Sequence, residues 1–350
     1  MNIRSGIKST LLLVCCCYAL SAYAADTING VVRNHTTGKA AAGDEVILLR
    51  LQNGMEEESR TRTDAKGAFS LPLVSADAPH VVRVLHQGIN YDQTVSGNGP
   101  LEIAVFNAVP RIRDLQASIG IAQVESDGQM LKVTEMYSIA NDSVPPVTQS
   151  GPRNFEISIA PKATLDSLEV KKGGGIWVTL APLPIKGQQG RYAVDFPIRP
   201  GDTLFKFVYH LPYTGPTSLH VKLAYPVKSF AVMHPPSMSF KPSSAQAFTS
   251  PGLAQGLRVE QAVSKPVVRD VPEFEVSGIG LAAPAQAAGT SSATSPAAAV
   301  ASPKPDTPAS VTLPVAARRL ENGMWIFLTG IAALLIAIAY AIWKKRERTV

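Results

Sequence analysis

The chain has 350 residues, of which 45% are hydrophobic and 17% are charged, and its formal net charge is +6. This composition excludes a disordered acidic protein, a collagen-like fibre and a small disulfide-rich domain. The sequence pI of about 9.2 is typical of nucleic-acid-binding domains. However, residues 1–24 carry +2 and residues 344–350 carry +3 of the net charge, so the region between them is nearly neutral. No nucleic-acid partner is therefore expected.

Residues 1–24 have the features of a secretory signal peptide. A basic start is followed by an apolar run from Leu11 to Leu20 and by the small pair Ala22 and Ala24, which predicts cleavage before Ala25. The run is too short to span a membrane. The folded part of the chain is therefore expected to be exported.

All three cysteines lie inside the signal peptide, at Cys15, Cys16 and Cys17. A lipoprotein anchor on Cys15 is the alternative, but Val14 stands where a small residue is needed. Cleavage leaves a mature chain without cysteine, so disulfides, thiolate metal sites and a cysteine nucleophile are not expected.

Residues 25–108 contain short β-favouring runs between turn signals and no helical periodicity. The strand signals are Thr27–Val32, Glu45–Leu51, Val81–Leu85 and Leu101–Phe106. Asp64 and Gly67 predict a hairpin turn, because Asp bonds to its own backbone and Gly adopts left-handed conformations. About seven short strands in this length predict an antiparallel β-sandwich.

A family resemblance is carried by three runs in this first domain. They are Gly30-Val31-Val32, Thr37-Gly38 and Thr63-Asp64-Ala65-Lys66-Gly67-Ala68-Phe69. With these runs, residues 27–106 resemble the carboxypeptidase regulatory-like domain, although Ala41 and Ala42 replace its usual proline after the first turn. The resemblance implies a small transthyretin-like β-sandwich that serves binding, spacing or folding, and it implies no peptidase activity.

The order of segments along the whole chain also resembles a second group of proteins. A β-rich exported region with a terminal membrane anchor is similar to uncharacterised membrane-anchored bacterial proteins of acidobacterial type. That resemblance implies no chemistry.

Residues 109–281 are predicted to form a second, larger antiparallel β-sandwich. The strand candidates are Leu115–Val124, Leu131–Ile139, Phe155–Ile159, Ile176–Leu180, Tyr192–Ile198, Thr203–Leu211, Leu219–Tyr225 and Phe230–His234. The period of two places Phe205, Phe207 and Tyr209 on one face of a strand. That face fits either a platform on which a sugar ligand stacks or a core strand.

Residues 282–317 are dominated by Ala, Pro, Ser and Thr. Such a segment buries too little apolar surface to offset its ordering entropy. A helix is the alternative for its alanine-rich first part, but a glycine and several prolines oppose it. The composition predicts a disordered stalk.

Residues 324–343 are predicted to be a transmembrane helix. The uncharged run 325–343 is about 28 Å long as a helix, which matches the hydrocarbon core. Trp325 and Trp343 stand at its two ends, where indoles favour the interface. Lys344, Lys345 and Arg346 begin the basic tail 344–350, which predicts a cytoplasmic C-terminus. A helical anchor indicates the plasma (inner) membrane, with both domains extracytoplasmic or periplasmic.

Catalytic and metal-binding motifs are missing from the sequence. It has no His-Glu-x-x-His, no Gly-x-Ser-x-Gly and no P-loop, so neither an enzyme nor a cofactor is expected. Glu56-Glu57-Glu58 fits a calcium site less well than a solvated hairpin tip. The run Gly173-Gly174-Gly175 fits an anion cradle less well than a surface loop. His80 and His86 are read as partly exposed strand residues.

The sequence favours a non-enzymatic, single-pass membrane protein that binds or supports a protein partner in the cell envelope. The alternative is a module that binds carbohydrate or cell wall through Phe205, Phe207 and Tyr209. A hydrolase with dispersed carboxylates is the third hypothesis, because the separation of paired carboxylates cannot be derived from sequence.

Overall fold

The computed structural model describes residues 26–282, except 53, 76, 98 and 264–266. The predicted signal peptide, membrane helix and basic tail, and nearly all of the stalk, lie outside this range. No helix among the described residues is long and apolar enough to cross a bilayer. Their regular structure consists of β-strands, which confirms the all-β fold class.

The strands are, in chain order, β1 (Thr27–Asn34), β2 (Lys39–Ala40), β3 (Glu45–Leu51), β4 (Met55–Arg62), β5 (Ala68–Pro72), β6 (His80–His86), β7 (Ile89–Thr94), β8 (Leu101–Val105), β9 (Ala108–Val109), β10 (Gln116–Ser126), β11 (Met130–Asn141), β12 (Thr148–Gln149), β13 (Phe155–Ser158), β14 (Thr164–Lys172), β15 (Val178–Thr179), β16 (Leu183–Pro184), β17 (Arg191–Val194), β18 (Gly201–Pro212), β19 (Thr217–Leu219), β20 (Val227–His234), β21 (Ser239–Pro242), β22 (Phe248–Ala254), β23 (Leu257–Ala262) and β24 (Phe274–Ser277).

The chain divides into two units. Of the described residues, unit 1 contains those up to Pro110 together with Ser143–Ser150, and unit 2 contains Arg111–Asp142 and those from Gly151 onward. The segment Ser143–Ser150 belongs to unit 1 because its strand β12 pairs in parallel with β9. The predicted second domain, 109–281, is therefore interrupted by eight residues that pack elsewhere.

Unit 1 contains two four-stranded sheets. In one, β1 pairs with β2, β5 and β8, and the other has the order β4-β3-β6-β7. Period-two alternation turns every second residue of β1 inward. The inward residues of both sheets form one hydrophobic core, which includes Ile28, Val32, Val46, Leu48, Leu71, Val82, Val84 and Ile103.

The predicted turn at Asp64–Gly67 is present, but it does not close a hairpin. The Asp64 carboxylate accepts hydrogen bonds from the backbone N–H groups of Lys66 and Ala68, both at 2.8 Å. The strands on either side belong to different sheets, because β4 pairs with β3 and β5 pairs with β1. The turn therefore carries the chain from one sheet to the other.

Gly67→Ala is expected to destabilise unit 1 strongly. Gly67 has φ +77°, and a Cβ atom there would lie 2.4 Å from the carbonyl oxygen of Val32. The matched variant is Gly38→Ala, because Gly38 has φ +71° with open space around the added atom. We expect Gly38→Ala to cost about 1–2 kcal/mol and Gly67→Ala to cost clearly more, as measured by urea unfolding. Equal losses would contradict this packing.

Unit 2 is built on an eight-stranded sheet with the order β15-β14-β18-β11-β10-β20-β23-β22. Strands β10 and β20 run parallel, as do β1 and β8 in unit 1. The prediction of purely antiparallel sheets was therefore wrong for these pairs. A parallel pair needs a long crossover, which the chain between β10 and β20 provides.

Alternation along β11 and β18 separates two faces of this sheet. The buried face packs against two three-stranded sheets, β13-β17-β16 and β19-β24-β21. Their joint core includes Val133, Tyr137, Phe155, Ile157, Phe205, Phe230, Phe274 and Val276. We call the opposite side of the eight-stranded sheet the outer face.

Candidate functional site

The predicted ligand platform is buried in the core of unit 2. Phe205 is 0% exposed, and Phe207 and Tyr209 are each 2% exposed. The ring of Phe205 stacks on Phe155 of β13, with centroids 4.2 Å apart. The three aromatic residues do share one face, but it is the face that β13 and its neighbours cover. The sequence left two interpretations open for this face, a ligand platform and a core strand, and its burial supports the core strand.

A carboxyl group lies inside this aromatic core. Glu135 is 1% exposed. Tyr137 donates a hydrogen bond to its Oε2 at 2.6 Å, and Tyr209 donates one to its Oε1 at 3.0 Å. Each carboxyl oxygen thus has a donor, as a buried polar group requires.

Burial raises the pKa of Glu135 to about 7, and the hydrogen bonds from Tyr137 and Tyr209 oppose that rise only in part. Burial and the neighbouring carboxyl also raise the pKa of both tyrosines. A carboxyl with a pKa near neutrality can act as a general acid or base. In the folded chain its burial withholds it from substrate. We therefore expect Glu135 to affect how the stability of unit 2 depends on pH. Glu135 occupies an inward position of the predicted strand Leu131–Ile139, and that spacing was the signal that could have identified it.

Unit 1 contains two histidine–carboxylate pairs that the sequence interpretation missed. His80 Nε2 lies 3.0 Å from Glu58 Oε2, and His86 Nδ1 lies 2.7 Å from Asp44 Oδ2. Both histidines are buried, contrary to the prediction of partly exposed residues. No group of three or more His, Cys, Asp or Glu residues in the described ranges could hold a metal ion.

Glu58 also corrects the interpretation of the acidic run as a hairpin tip. It lies within β4, and its Oε1 accepts hydrogen bonds from the backbone N–H groups of Val74 and Ser75. Burial acts to raise the pKa of Glu58, but hydrogen bonds from His80 and these amides outweigh burial and lower it. The Glu58 carboxylate therefore connects β4 and β6 with the segment that follows β5.

A separate hydrophobic cluster lies on the outer face of the eight-stranded sheet. Its buried members are Ile121, Ala231, Met233, Leu257 and Val259. Ile121 lies opposite Ala231. The next residue of each strand, Ala122 and Val232, forms a pair that belongs to the principal core. Because neighbouring residues of a strand point to opposite faces, this cluster is separate from the principal core.

Two exposed aliphatic side chains lie on the segment that borders this cluster. They are Ile279 and Leu281, with exposed fractions of 60% and 65%. Their chain neighbour Ala282 packs against the cluster. Gly280 and Ser126 exchange two backbone hydrogen bonds of 2.9 Å, which hold the segment around Gly280 against β10. We call Ile279, Leu281 and the cluster beside them the apolar patch.

Apolar groups left in water forfeit about 25 cal/mol for each Å² that a partner could cover. A group of exposed aliphatic side chains beside an apolar cluster is the usual mark of an interaction surface. The sequence could not have assembled the apolar patch, because strand pairing brings its members together from three distant parts of the chain.

The predicted membrane anchor residues Trp325, Trp343, Lys344, Lys345 and Arg346 lie outside the described residues. Their role stays a prediction.

Comparisons with known proteins identify no family for this chain. No family model matches it, and no curated protein matches it. Among solved structures, it is similar to an M1 zinc metallopeptidase from Deinococcus radiodurans, with 12% identity and a TM-score of 0.27 over 48% of this chain and 43% of that one. A mutant of that enzyme bound to a Tyr-Ser-Ala substrate gives 13% identity and the same TM-score, over 47% and 43%. The chain thus spans less than half the length of these proteins, and the likeness carries no argument about its activity.

Proposed function

We propose that the chain is a non-enzymatic, membrane-anchored extracytoplasmic protein that serves as a binding or structural accessory module for a protein partner in the cell envelope. Export by the predicted signal peptide and retention by the predicted helix 324–343 support a location of both units outside the cytoplasm. The predicted stalk, 282–317, holds them away from the membrane surface.

The sharing of one core by separate sheets supports a β-sandwich architecture for each unit. In unit 1 the two four-stranded sheets contribute to a single core. In unit 2 the eight-stranded sheet shares its core with the two small sheets. A sandwich is a common scaffold for binding modules, and its loops and faces can vary without loss of the core.

The apolar patch is the observation that carries the proposal. Ile279 and Leu281 are mostly exposed, although large aliphatic side chains are usually buried. A protein partner that covers them gains about 1.5–3 kcal/mol for each side chain that it buries fully.

The carbohydrate alternative has less support. Its platform of Phe205, Phe207 and Tyr209 is buried, so a sugar ring cannot stack on it without unfolding the core. No other observation favours a polysaccharide ligand.

Photocross-linking in the native membrane tests the proposal. The full-length chain would carry a photoreactive amino acid in place of Ile279, in the apolar patch. The matched position is Val74, another exposed aliphatic residue, which lies in unit 1. We expect one discrete protein adduct from the Ile279 position and none from the Val74 position.

Leu281→Glu supplies the second arm of the experiment. Because Leu281 is exposed, the variant is expected to fold within about 0.5 kcal/mol of the parent. The adduct from the Ile279 position is expected to fall about tenfold or more, since the partner loses a buried Leu side chain. Equal yields from both positions, adducts with glycan alone, or an adduct to residues 283–317 of the same chain would contradict the proposal.

A further inference from the structure

Residues 279–281 form a short extended segment beside the end of β10. Gly280 N–H donates to the carbonyl oxygen of Ser126, and Ser126 N–H donates to the carbonyl oxygen of Gly280, both at 2.9 Å. The two residues form an antiparallel bridge. A pair that exchanges both backbone hydrogen bonds is the repeating unit of an antiparallel ladder, so the segment lies beside β10 as a further strand would.

The side chains of this segment have defined directions relative to the large sheet. Ser126 follows the core residue Val124 at the period of two, and it is 1% exposed. Gly280 lies directly opposite Ser126 and therefore faces the same, inward side. Ile279 and Leu281, on either side of Gly280, then project together on the outer face.

One edge of the segment is open. In an antiparallel ladder the backbone groups of successive residues point to alternate edges. Since both groups of Gly280 point to Ser126, those of Ile279 and Leu281 point to the opposite edge. No residue in the described part of the chain hydrogen-bonds to the backbone of Ile279 or Leu281. We call their side of the segment the free edge, and its two N–H and two C=O groups are a template for strand pairing.

The segment that carries the free edge is held in place by its surroundings. Tyr213 OH donates to the carbonyl oxygen of Gly278 at 2.9 Å. A Cβ atom on Gly280 would lie 2.7 Å from Pro235 Cβ, so the backbone packs closely against the turn after β20. A binding edge that is fixed in advance loses little conformational entropy when a partner pairs with it.

The outermost strands of the eight-stranded sheet are protected against strand addition, in contrast to the free edge. Strand β22 contains Pro251 and a register shift in its pairing with β23. Strand β15 is followed by Pro182 and Pro184, and neither has a backbone N–H to donate. Prolines, bulges and charges are the features that block such pairing. Residues 276–283 contain no proline and no charged residue.

We propose that the free edge pairs with an extended segment of the partner protein, which adds a strand beside residues 279–281. This inference rests on the proposed function and specifies the form of the partner. Backbone groups of the added strand bond to the N–H and C=O groups of Ile279 and Leu281. Every second side chain of the added strand is apolar, because it lies beside these two side chains on the outer face.

The continuation of the chain itself is poorly suited to this edge. Residues 283–301 are rich in alanine and contain Pro284, Gly289 and Pro296. These residue types are depleted from β-strands. The composition therefore favours a strand from another protein.

Mapping of cross-linked residues tests the added strand. The full-length chain carries a diazirine analogue of leucine in place of Ile279 or, in a second variant, in place of Leu281, and adducts form in the native membrane. Mass spectrometry of each adduct locates the bonded residue of the partner. Residues of an added strand that lie opposite positions 279 and 281 are two apart. We therefore expect the two sites to be two residues apart in one segment with alternating apolar side chains.

Leu281→Pro and Leu281→Ala supply a matched pair of variants. Both remove the leucine side chain, but the proline variant also lacks the N–H that donates to the partner. Proline requires extended backbone at Gly280, which its bridge to Ser126 already imposes, so both variants are expected to unfold at the same urea concentration. We expect the adduct from position 279 to be about fivefold weaker in the proline variant, for the loss of one hydrogen bond.

Failure of the added strand can be distinguished from failure of the proposed function. Partner sites that lie three or four residues apart, or in separate segments, overturn the added strand and leave partner binding intact. Equal adduct yields from the two position-281 variants have the same meaning. The absence of any adduct from both positions overturns partner binding and the added strand with it. An adduct to a second copy of this chain, or to residues 283–317, assigns the edge to this chain itself and overturns both.

Discussion

Phe205→Ala is expected to lower the free energy of unfolding of unit 2 by about 3–5 kcal/mol. The ring of Phe205 is 0% exposed and stacks on Phe155 across the core. It also lies opposite Tyr137 on β11 and Val170 on β14, at the centre of the large sheet. Removing it leaves a cavity that the neighbouring strands cannot close without losing their pairing.

Urea unfolding followed by Trp177 fluorescence measures this loss, because Trp177 belongs to unit 2. Ile176→Ala is the matched control. It removes an exposed side chain, and we expect a change within about 0.5 kcal/mol. If Phe205→Ala left stability unchanged and abolished binding to polysaccharide, the aromatic strand would be a ligand platform after all.

Glu135→Gln is expected to remove a large part of the pH dependence of stability. The pKa of Glu135 is about 7 in the folded chain, against 4.5 for an ordinary glutamate. Below pH 4.5 the group is protonated in both states, so burial carries no ionisation cost. Between pH 4.5 and 7 the unfolded chain releases the proton first, so stability falls as the pH rises.

The total effect is about 3 kcal/mol, because each tenfold change in acidity between the folded and unfolded chains is worth about 1.4 kcal/mol. Glutamine cannot ionise, so this part of the loss of stability with rising pH is absent from the variant. We therefore expect its stability relative to the parent chain to increase by about that amount between roughly pH 4 and pH 8. Urea unfolding across this pH range is the measurement, and parallel curves for the two proteins would refute the role of Glu135.

Tyr137→Phe sharpens the test of the same network. The hydrogen bond from Tyr137 lowers the pKa of Glu135. Its removal raises that pKa further, so the fall in stability is expected to extend to higher pH than in the parent. A fall that ends at lower pH would contradict the assigned geometry.

The period of two predicted several strands of unit 2 well. Leu131–Ile139 and Thr203–Leu211 lie within β11 and β18, where buried and partly exposed residues alternate regularly. Strand β14 was missed because its sequence mixes charged and apolar residues and a register shift between Leu165 and Ser167 breaks the pattern. Strand β4 was missed because its glutamates suggested a solvated tip.

Sheet order could not be derived from periodicity. Alternation shows which residues of β18 share a face, but the strands that cover the face come from distant sequence. For that reason Phe205 and Tyr209 fitted both a platform and a core strand until β13 was placed over them. The apolar patch depends in the same way on residues 279–282 returning to β10.

The central claim is that the protein is exported and held in the membrane by one C-terminal span. Labelling of single cysteines tests this claim most directly. The parent chain has cysteines only at 15–17, so signal cleavage leaves it without a thiol. Val144→Cys adds an exposed thiol in the folded part, since Val144 is 95% exposed, and Thr349→Cys adds one in the predicted cytoplasmic tail. In intact spheroplasts, a membrane-impermeant maleimide is expected to label the Val144→Cys variant and to leave the parent and the Thr349→Cys variant unlabelled until the membrane is opened. Labelling of the Thr349→Cys variant but not of the Val144→Cys variant in intact spheroplasts would contradict the account.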